Sequence, residues 1–300
     1  MTDIATSLNN AAASETPEGG IRWGLVLDHA ILIAGSLFML LPVFLAFMTS
    51  THEAVTVHTE GVQYLPGDQL VANYSTVLFD GIGFTGAVNG TTMMMNSMIL
   101  GFGFAIGKII VAMMAAYAIV YFRFPLAELA FWAIFVTLLL PLEVRILPSY
   151  EIVRKMGLIN SYTGLIVPLI ASATATFFFR QFFKTVPDEL VEAARIDGAG
   201  PMKFFIDILV PLSRTMIAAI FIIMFVYGWN QYLWPTLITT NEDYFTLVRG
   251  IKLIIQVWVG AQIPEYSQAM ALAVLAMLPP VIVVVVFQSW FIRGLTESDK

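Results

Sequence analysis

The sequence predicts an all-α fold, a polytopic membrane helix bundle with six transmembrane helices and a cytoplasmic two-helix hairpin. Of its 300 residues, 58% are hydrophobic and only 12% charged, against roughly 25% charged in a soluble domain. Mean hydropathy is +0.81. Six apolar segments, at about 25–48, 97–120, 127–148, 159–181, 214–238 and 268–292, are each long enough to cross a hydrocarbon core about 30 Å thick. A backbone in lipid finds no water to bond, so each crossing segment must satisfy its own N–H and C=O groups, which a helix does. Between the fourth and fifth segments lies a short polar stretch with helix-start and helix-stop signals.

Residues 1–21 are polar, acidic and rich in Ala, Ser and Asn, and are expected to be a flexible cytoplasmic tail. The apolar run that follows is too long for a cleaved signal and no small-residue cleavage site ends it. Residues 22–96 comprise the first span and an external loop. That loop has no Lys or Arg between about 50 and 95 but carries Glu53, Glu60, Asp68 and Asp80. Within it, Asp80-Gly81-Ile-Gly83-Phe-Thr-Gly86 has the glycine spacing of a dinucleotide fold. It lacks the strand before and the helix behind that such a site needs.

A core of five further spans occupies 97–292, and 293–300 is a second cytoplasmic tail. In the second span, Gly101-Phe-Gly-Phe-Ala-Ile-Gly107-Lys108 imitates a phosphate loop, but Ile109 stands where a Ser or Thr must hold magnesium. The glycines are expected to pack helices. Lys108 lies near mid-span, where a cation costs roughly 2.5–3.5 kcal/mol, so it should face a partner or water. It either pairs with a carboxylate inside the bundle, stretches toward an interface, or faces an anion. Glu143 and Arg145 sit where Leu140-Pro-Leu-Glu-Val-Arg-Ile-Leu-Pro148 breaks the third span, as a local ion pair, a gate or an anion contact. In the fifth span, Asn230 and Gln231 of Gly228-Trp-Asn-Gln-Tyr-Leu-Trp-Pro235 can bond a polyol or a neighbouring helix. Tyr232 and Trp234 suit an interfacial belt, and Met93, Met94 and Met95 suit packing.

With both ends cytoplasmic, nine basic residues (Arg22, Arg123, Arg180, Lys184, Arg195, Lys203, Arg214, Arg293, Lys300) lie on that side. Five (Arg145, Arg154, Lys155, Arg249, Lys252) lie on the other, as the positive-inside bias requires. The chain has no cysteine, so it has no disulfide framework or thiol chemistry. The spacing of His29, His52 and His58 favours no zinc site. A net charge of −6 gives no reason to expect nucleic acid. Zinc motifs, serine elbows and paired carboxylates within a span are absent, which argues against an intramembrane enzyme.

The hairpin spans 186–211. Pro187 fits the first turn of a helix, Asp188 and Glu189 suit its positive end, and Gly198 permits the left-handed turn that stops it near Asp197. Pro201 can then start a second helix with Phe204, Phe205, Ile208 and Leu209 on one face. Glu192-Ala193-Ala194, Gly198 and Ile208-Leu209-Val210-Pro211 together resemble the EAA loop of the MalG-like, binding-protein-dependent permeases of bacterial ABC importers. Val210 stands where Leu is usual.

Across most of the chain the resemblance is to the sn-glycerol-3-phosphate branch of that family. It is carried by Ala118-Ile-Val-Tyr-Phe-Arg-Phe-Pro-Leu126, Ala171-Ser-Ala-Thr-Ala-Thr-Phe177, Phe179-Arg-Gln-Phe-Phe183 and the tail from Phe291. The resemblance implies an inner-membrane permease subunit without enzymatic activity. Its partners would be a different permease subunit, two cytoplasmic ATPase subunits holding ATP and magnesium, and a periplasmic substrate-binding protein. This chain would bind no cofactor of its own. It further implies that Glu192, Ala193, Ala194, Arg195, Asp197 and Gly198 couple to the ATPase, the two alanines letting the helix sit close. Lys108, Glu143, Arg145, Asn230 and Gln231 become candidates for the translocation path. A sugar or polyol importer of the same family is the nearest alternative, and an ion-coupled secondary transporter a more distant one.

Overall fold

The computed structural model describes residues 23–81, 88–122, 124–137, 140–255 and 263–296, nearly all of them in helices, turns or connecting loops. The N-terminal tail, Arg22, Gly83, Gly86, Arg123 and the last four residues, 297–300, lie outside them. The chain divides into two units, Met1–Leu45 and Ala46–Lys300. Helix α1, Trp23–Thr49, begins in the first and ends in the second. In the first unit its side chains are largely apolar and exposed, as lipid or another apolar surface requires.

In the second unit, two short helices, α2 (Ala54–Glu60) and α3 (Leu70–Phe79), fold the first loop. Asn73 ties it by donating to the carbonyls of Ser50 at 2.9 Å and His52 at 2.8 Å. Helix α4, Gly90–Tyr121, has 32 residues and is ~48 Å long. Asn89 starts it, its side-chain oxygen accepting from the Thr92 N–H at 2.9 Å. The predicted third span is shorter than expected. Helix α5 covers Ala127–Val136, and a separate helix, α6, runs from Leu142 to Lys155. Extended Pro141, at φ −56° and ψ 149°, precedes α6, and a residue before proline is itself steered away from helix.

The fourth span is bent by 51° between α7 (Tyr162–Leu169) and α8 (Ala173–Phe183). The hairpin follows as α9 (Asp188–Ile196) and α10 (Pro201–Leu212). The chain turns 76° into α11 (Arg214–Trp229). The fifth span then breaks after Trp229 and resumes as α12 (Leu233–Ile238), followed by α13 (Leu247–Ile255) and α14 (Tyr266–Thr296). Thus α1, α4 and α14 are unbroken apolar helices long enough to cross a bilayer, and two further spans are bent pairs.

Helix α4 is the central element, packed chiefly on α11 and α8, while α14 lies on α11 and α13. The predicted glycine packing is what brings them together. A methyl group on Gly101 would come within 2.9 Å of the Phe225 ring, and one on Gly228 within 3.2 Å of the Gly101 Cα. Lipid gives helices little hydrophobic reason to associate, so such close backbone approach supplies van der Waals contact instead. One apolar cluster runs from Val88 and Met93 at one end of α4, through Phe179 and Phe225, to Val186, Ala194, Phe204 and Leu209 of the hairpin. The hairpin is therefore part of the bundle's own core.

Candidate functional site

The hairpin forms as its sequence dictates. Pro187 occupies the position just before α9 at φ −60° and ψ 138°, Asp188 and Glu189 fill the first turn, and Arg195 the last. Gly198 takes φ +73°. Its N–H donates to the Arg195 carbonyl at 3.1 Å and the Ala199 N–H to the Ala194 carbonyl at 2.8 Å. These are the paired bonds of a Schellman stop, which satisfies the last carbonyls and needs a left-handed residue. In α10, a wide π turn covers Phe205–Leu209. Pro211 lacks the N–H that would bond the Asp207 carbonyl, which loosens the preceding turn. The expected apolar face is present, with Phe204 and Leu209 buried and Phe205 and Ile208 packed against the core.

The face of α9 turned away from the bundle carries Glu189, Leu190, Glu192, Ala193 and Ile196, the last 85% exposed. Ala194 does not belong to that face. It is buried and lines a cavity of about 470 Å³ together with Tyr117, Tyr121, Arg195 and Pro201. Adjacent helical residues differ by about 100° in direction, so Ala193 faces solvent while Ala194 turns into the bundle. Glu192, Arg195 and Asp197 are exposed.

Two charged side chains are buried among the described residues, Lys108 and Arg180. Lys108 finds no carboxylate among the described residues. Its ammonium donates to the Ala171 carbonyl at 3.3 Å, at the bend between α7 and α8, and lies 4.3 Å from the Phe104 ring centre and 5.8 Å from that of Tyr227. A helix bend frees carbonyls from intrahelical bonding, and aromatic faces attract cations, so both kinds of contact favour the charge here. An ammonium has three N–H donors, of which this arrangement engages one in a hydrogen bond. The Arg145 guanidinium, exposed on α6, is near enough for the two cations to act on each other. The Glu143 side chain lies outside the described residues.

Arg180, at the end of α8, pairs with Glu128 in the first turn of α5 at 2.6 Å and lies 3.8 Å over the Phe131 ring. This clamp joins two spans just before the hairpin. The two amides of the fifth span make local bonds. Asn230 donates to the Val226 carbonyl at 2.9 Å and Gln231 to that of Tyr227 at 3.3 Å, so both cap the last turn of α11 and bond no other helix among the described residues. Trp234 is no interfacial residue: it is fully buried and its indole N–H donates to the Leu165 carbonyl at 3.1 Å. Tyr232 instead carries Lys252 over its ring at 3.9 Å. Met93 is buried as packing, whereas Met95 is 59% exposed.

Several positioning groups escaped the sequence reading. Tyr227 contributes its ring to Lys108. Buried Asn96 donates to the carbonyls of Asp243 at 2.7 Å and Phe245 at 2.9 Å and accepts from the Tyr162 hydroxyl at 2.7 Å. Tyr117 donates to the Pro201 carbonyl at 2.8 Å and Tyr121 to that of Phe183 at 3.3 Å. A polar residue on an apolar helix was the available signal for Asn96. For the tyrosines, whose rings suit lipid as well as protein, no local signal distinguishes the partner.

Known proteins give the arrangement its family. Residues 108–297 match the family described as binding-protein-dependent transport system inner membrane component. A Salmonella typhi relative named sn-glycerol-3-phosphate transport system permease protein UgpE is 50% identical over 280 residues, covering 93% of this chain and 99% of its own. A relative of the same name from Brucella melitensis is 46% identical over 275 residues, covering 92% and 97%. A solved chain of a bacterial ABC transporter involved in import of the acidic polysaccharide alginate shares the fold. Its TM-score is 0.76 at 22% identity, covering 92% of this chain and all of that one. The hairpin falls inside the matched region, as do Lys108 and every span from α5 onward, and the chain belongs to the inner-membrane permease components of binding-protein-dependent ABC importers.

Proposed function

We propose that this chain is one of two permease subunits of an ATP-driven importer for sn-glycerol-3-phosphate. The observation that carries this reading is 46–50% identity, over almost the full length of both chains, to permeases named for that substrate. The candidate site agrees in charge. A buried lysine with no carboxylate among the described residues, and an arginine within electrostatic reach, favour an anionic solute.

In this reading the hairpin points into the cytoplasm and both termini lie on that side. The exposed face of α9, with Glu192 beside Ala193, Leu190 and Ile196, enters a cleft on a separate ATPase subunit. That subunit holds ATP and magnesium, and this chain carries no catalytic residue or cofactor. A loaded periplasmic binding protein docks on the opposite side. ATP binding closes the ATPase pair and the hairpin carries that closure into the spans, so that the permease pair opens outward to receive the substrate. Hydrolysis returns it. Net uphill movement requires ATP and the binding protein to favour different membrane states, since equal affinity for both would shift nothing.

The test is reconstitution with the partner permease, ATPase and binding protein, followed by uptake of labelled sn-glycerol-3-phosphate. Saturable, ATP-dependent uptake displaced by unlabelled glycerol phosphate and not by maltose is expected. Uptake displaced by a neutral sugar instead would replace the substrate while keeping the importer. Uptake that needs an ion gradient and no ATPase would overturn the reading.

A further inference from the structure

We infer that Tyr117 and Tyr121 are the positioning residues through which movement of the hairpin is imposed on the central helix α4. The inference rests on the proposed function, since it takes the hairpin to be the element that the ATPase moves. Both tyrosines sit in the final turns of α4, four residues apart and so on neighbouring positions of one face. Each hydroxyl donates to a main-chain carbonyl of a different leg. Tyr121 holds Phe183, the last residue of α8, where the chain enters the hairpin. Tyr117 holds Pro201, the first residue of α10, where the second leg begins. The central helix thus grips the hairpin on both sides of α9.

The rings reinforce the grip. Tyr117 lies 5.0 Å from the Phe205 ring and Tyr121 5.4 Å from that of Phe204. Helix α9 shares with the end of α4 the lining of the cavity of about 470 Å³, to which it gives Val191, Ala194 and Arg195. The hydrogen bonds that tie the hairpin to the end of α4 lie on its two flanking legs, so displacement of α9 pulls on α4 where the hydroxyls attach. Because the acceptors are main-chain carbonyls, α4 follows the backbone of each leg whatever side chains it carries. At its other end of reach, the same helix holds Lys108 against the Ala171 carbonyl at the bend of the fourth span. A stiff helix nine residues long, ~13 Å, joins the two contacts.

The experiment uses the complete reconstituted complex with Tyr117→Phe, Tyr121→Phe and the double variant, which keep the rings and remove only the hydroxyls. The readout is substrate imported per ATP hydrolysed, with ATPase stimulation by the loaded binding protein measured on the same vesicles. We expect stimulated hydrolysis to persist while import per ATP falls about fivefold in each single variant, the ratio equivalent to one neutral hydrogen bond of ~1 kcal/mol. The double variant should fall further. If import and hydrolysis fall together at a constant ratio, or neither changes, or neither single variant assembles, the hydroxyls are merely structural and the inference is wrong. A wild-type complex that fails to import at all would instead overturn the proposed function, so the two failures are separable.

Discussion

A lysine in the middle of a membrane helix must be held by something, and among the described residues no carboxylate holds it. Lys108 rests on the Ala171 carbonyl and the faces of Phe104 and Tyr227. These contacts are weaker than a carboxylate pair, and in the proposed reading a phosphate oxygen displaces them. Replacing Lys108 with Gln should raise the substrate concentration for half-maximal uptake about tenfold, equivalent to ~1.4 kcal/mol of lost binding. Lys108→Arg should raise it less. Uptake kinetics unchanged by the glutamine would remove the residue from the path. The cation itself was legible, because a single charge stands out in an apolar run. Its partners were not, since Ala171 and Tyr227 reach it only through a bend and a helix crossing that no local pattern encodes. For Asn230 and Gln231 the local role was hidden in the same way: only the break after Trp229 puts the pair at a helix end, where both bond back to the last turn.

The hairpin is the element whose form follows most directly from its residues. Acidic residues after Pro187, a glycine after Asp197 and Pro201 at the next start each act within one turn, so short-range chemistry settles the outcome. Gly198 gives a sharp test. A Cβ there would meet nothing within 4 Å, so any penalty comes from its φ of +73° alone. The left-handed region costs a side-chain-bearing residue about 1–2 kcal/mol, most for a β-branched one and least for Asn. Import should therefore decline in the order Gly198→Asn, Gly198→Ala, Gly198→Val, with import lost in the last although the protein still inserts into the membrane. Normal uptake by a well-inserted valine variant would show that the stop of α9 is not needed for coupling. The third span was less legible than the hairpin. An apolar run through 127–148 does not reveal whether Pro141 kinks one helix or begins another, and the structure starts α6 there.

At the scale of the whole molecule, one apolar core joins the hairpin to the spans, and α4 touches nearly every part of it. Composition was enough to announce a helical membrane protein, and the hairpin enough to suggest its family. How the spans cross was not available, because in lipid the sequence of an outward face and an inward face are both apolar and only close contacts such as Gly101 against Phe225 separate them. In the proposed function, the exposed side of α9 receives the work of an ATPase. The chain has no cysteine, so Ala193→Cys introduces a single thiol on that side. We would measure its site-specific crosslinking to the ATPase subunit in the assembled complex, with and without ATP. A crosslink confined to the ATPase, whose yield changes with ATP and which shields the thiol from a water-soluble reagent, is the expected result. A thiol equally open to that reagent with and without the ATPase, and never crosslinked to it, would contradict the claim.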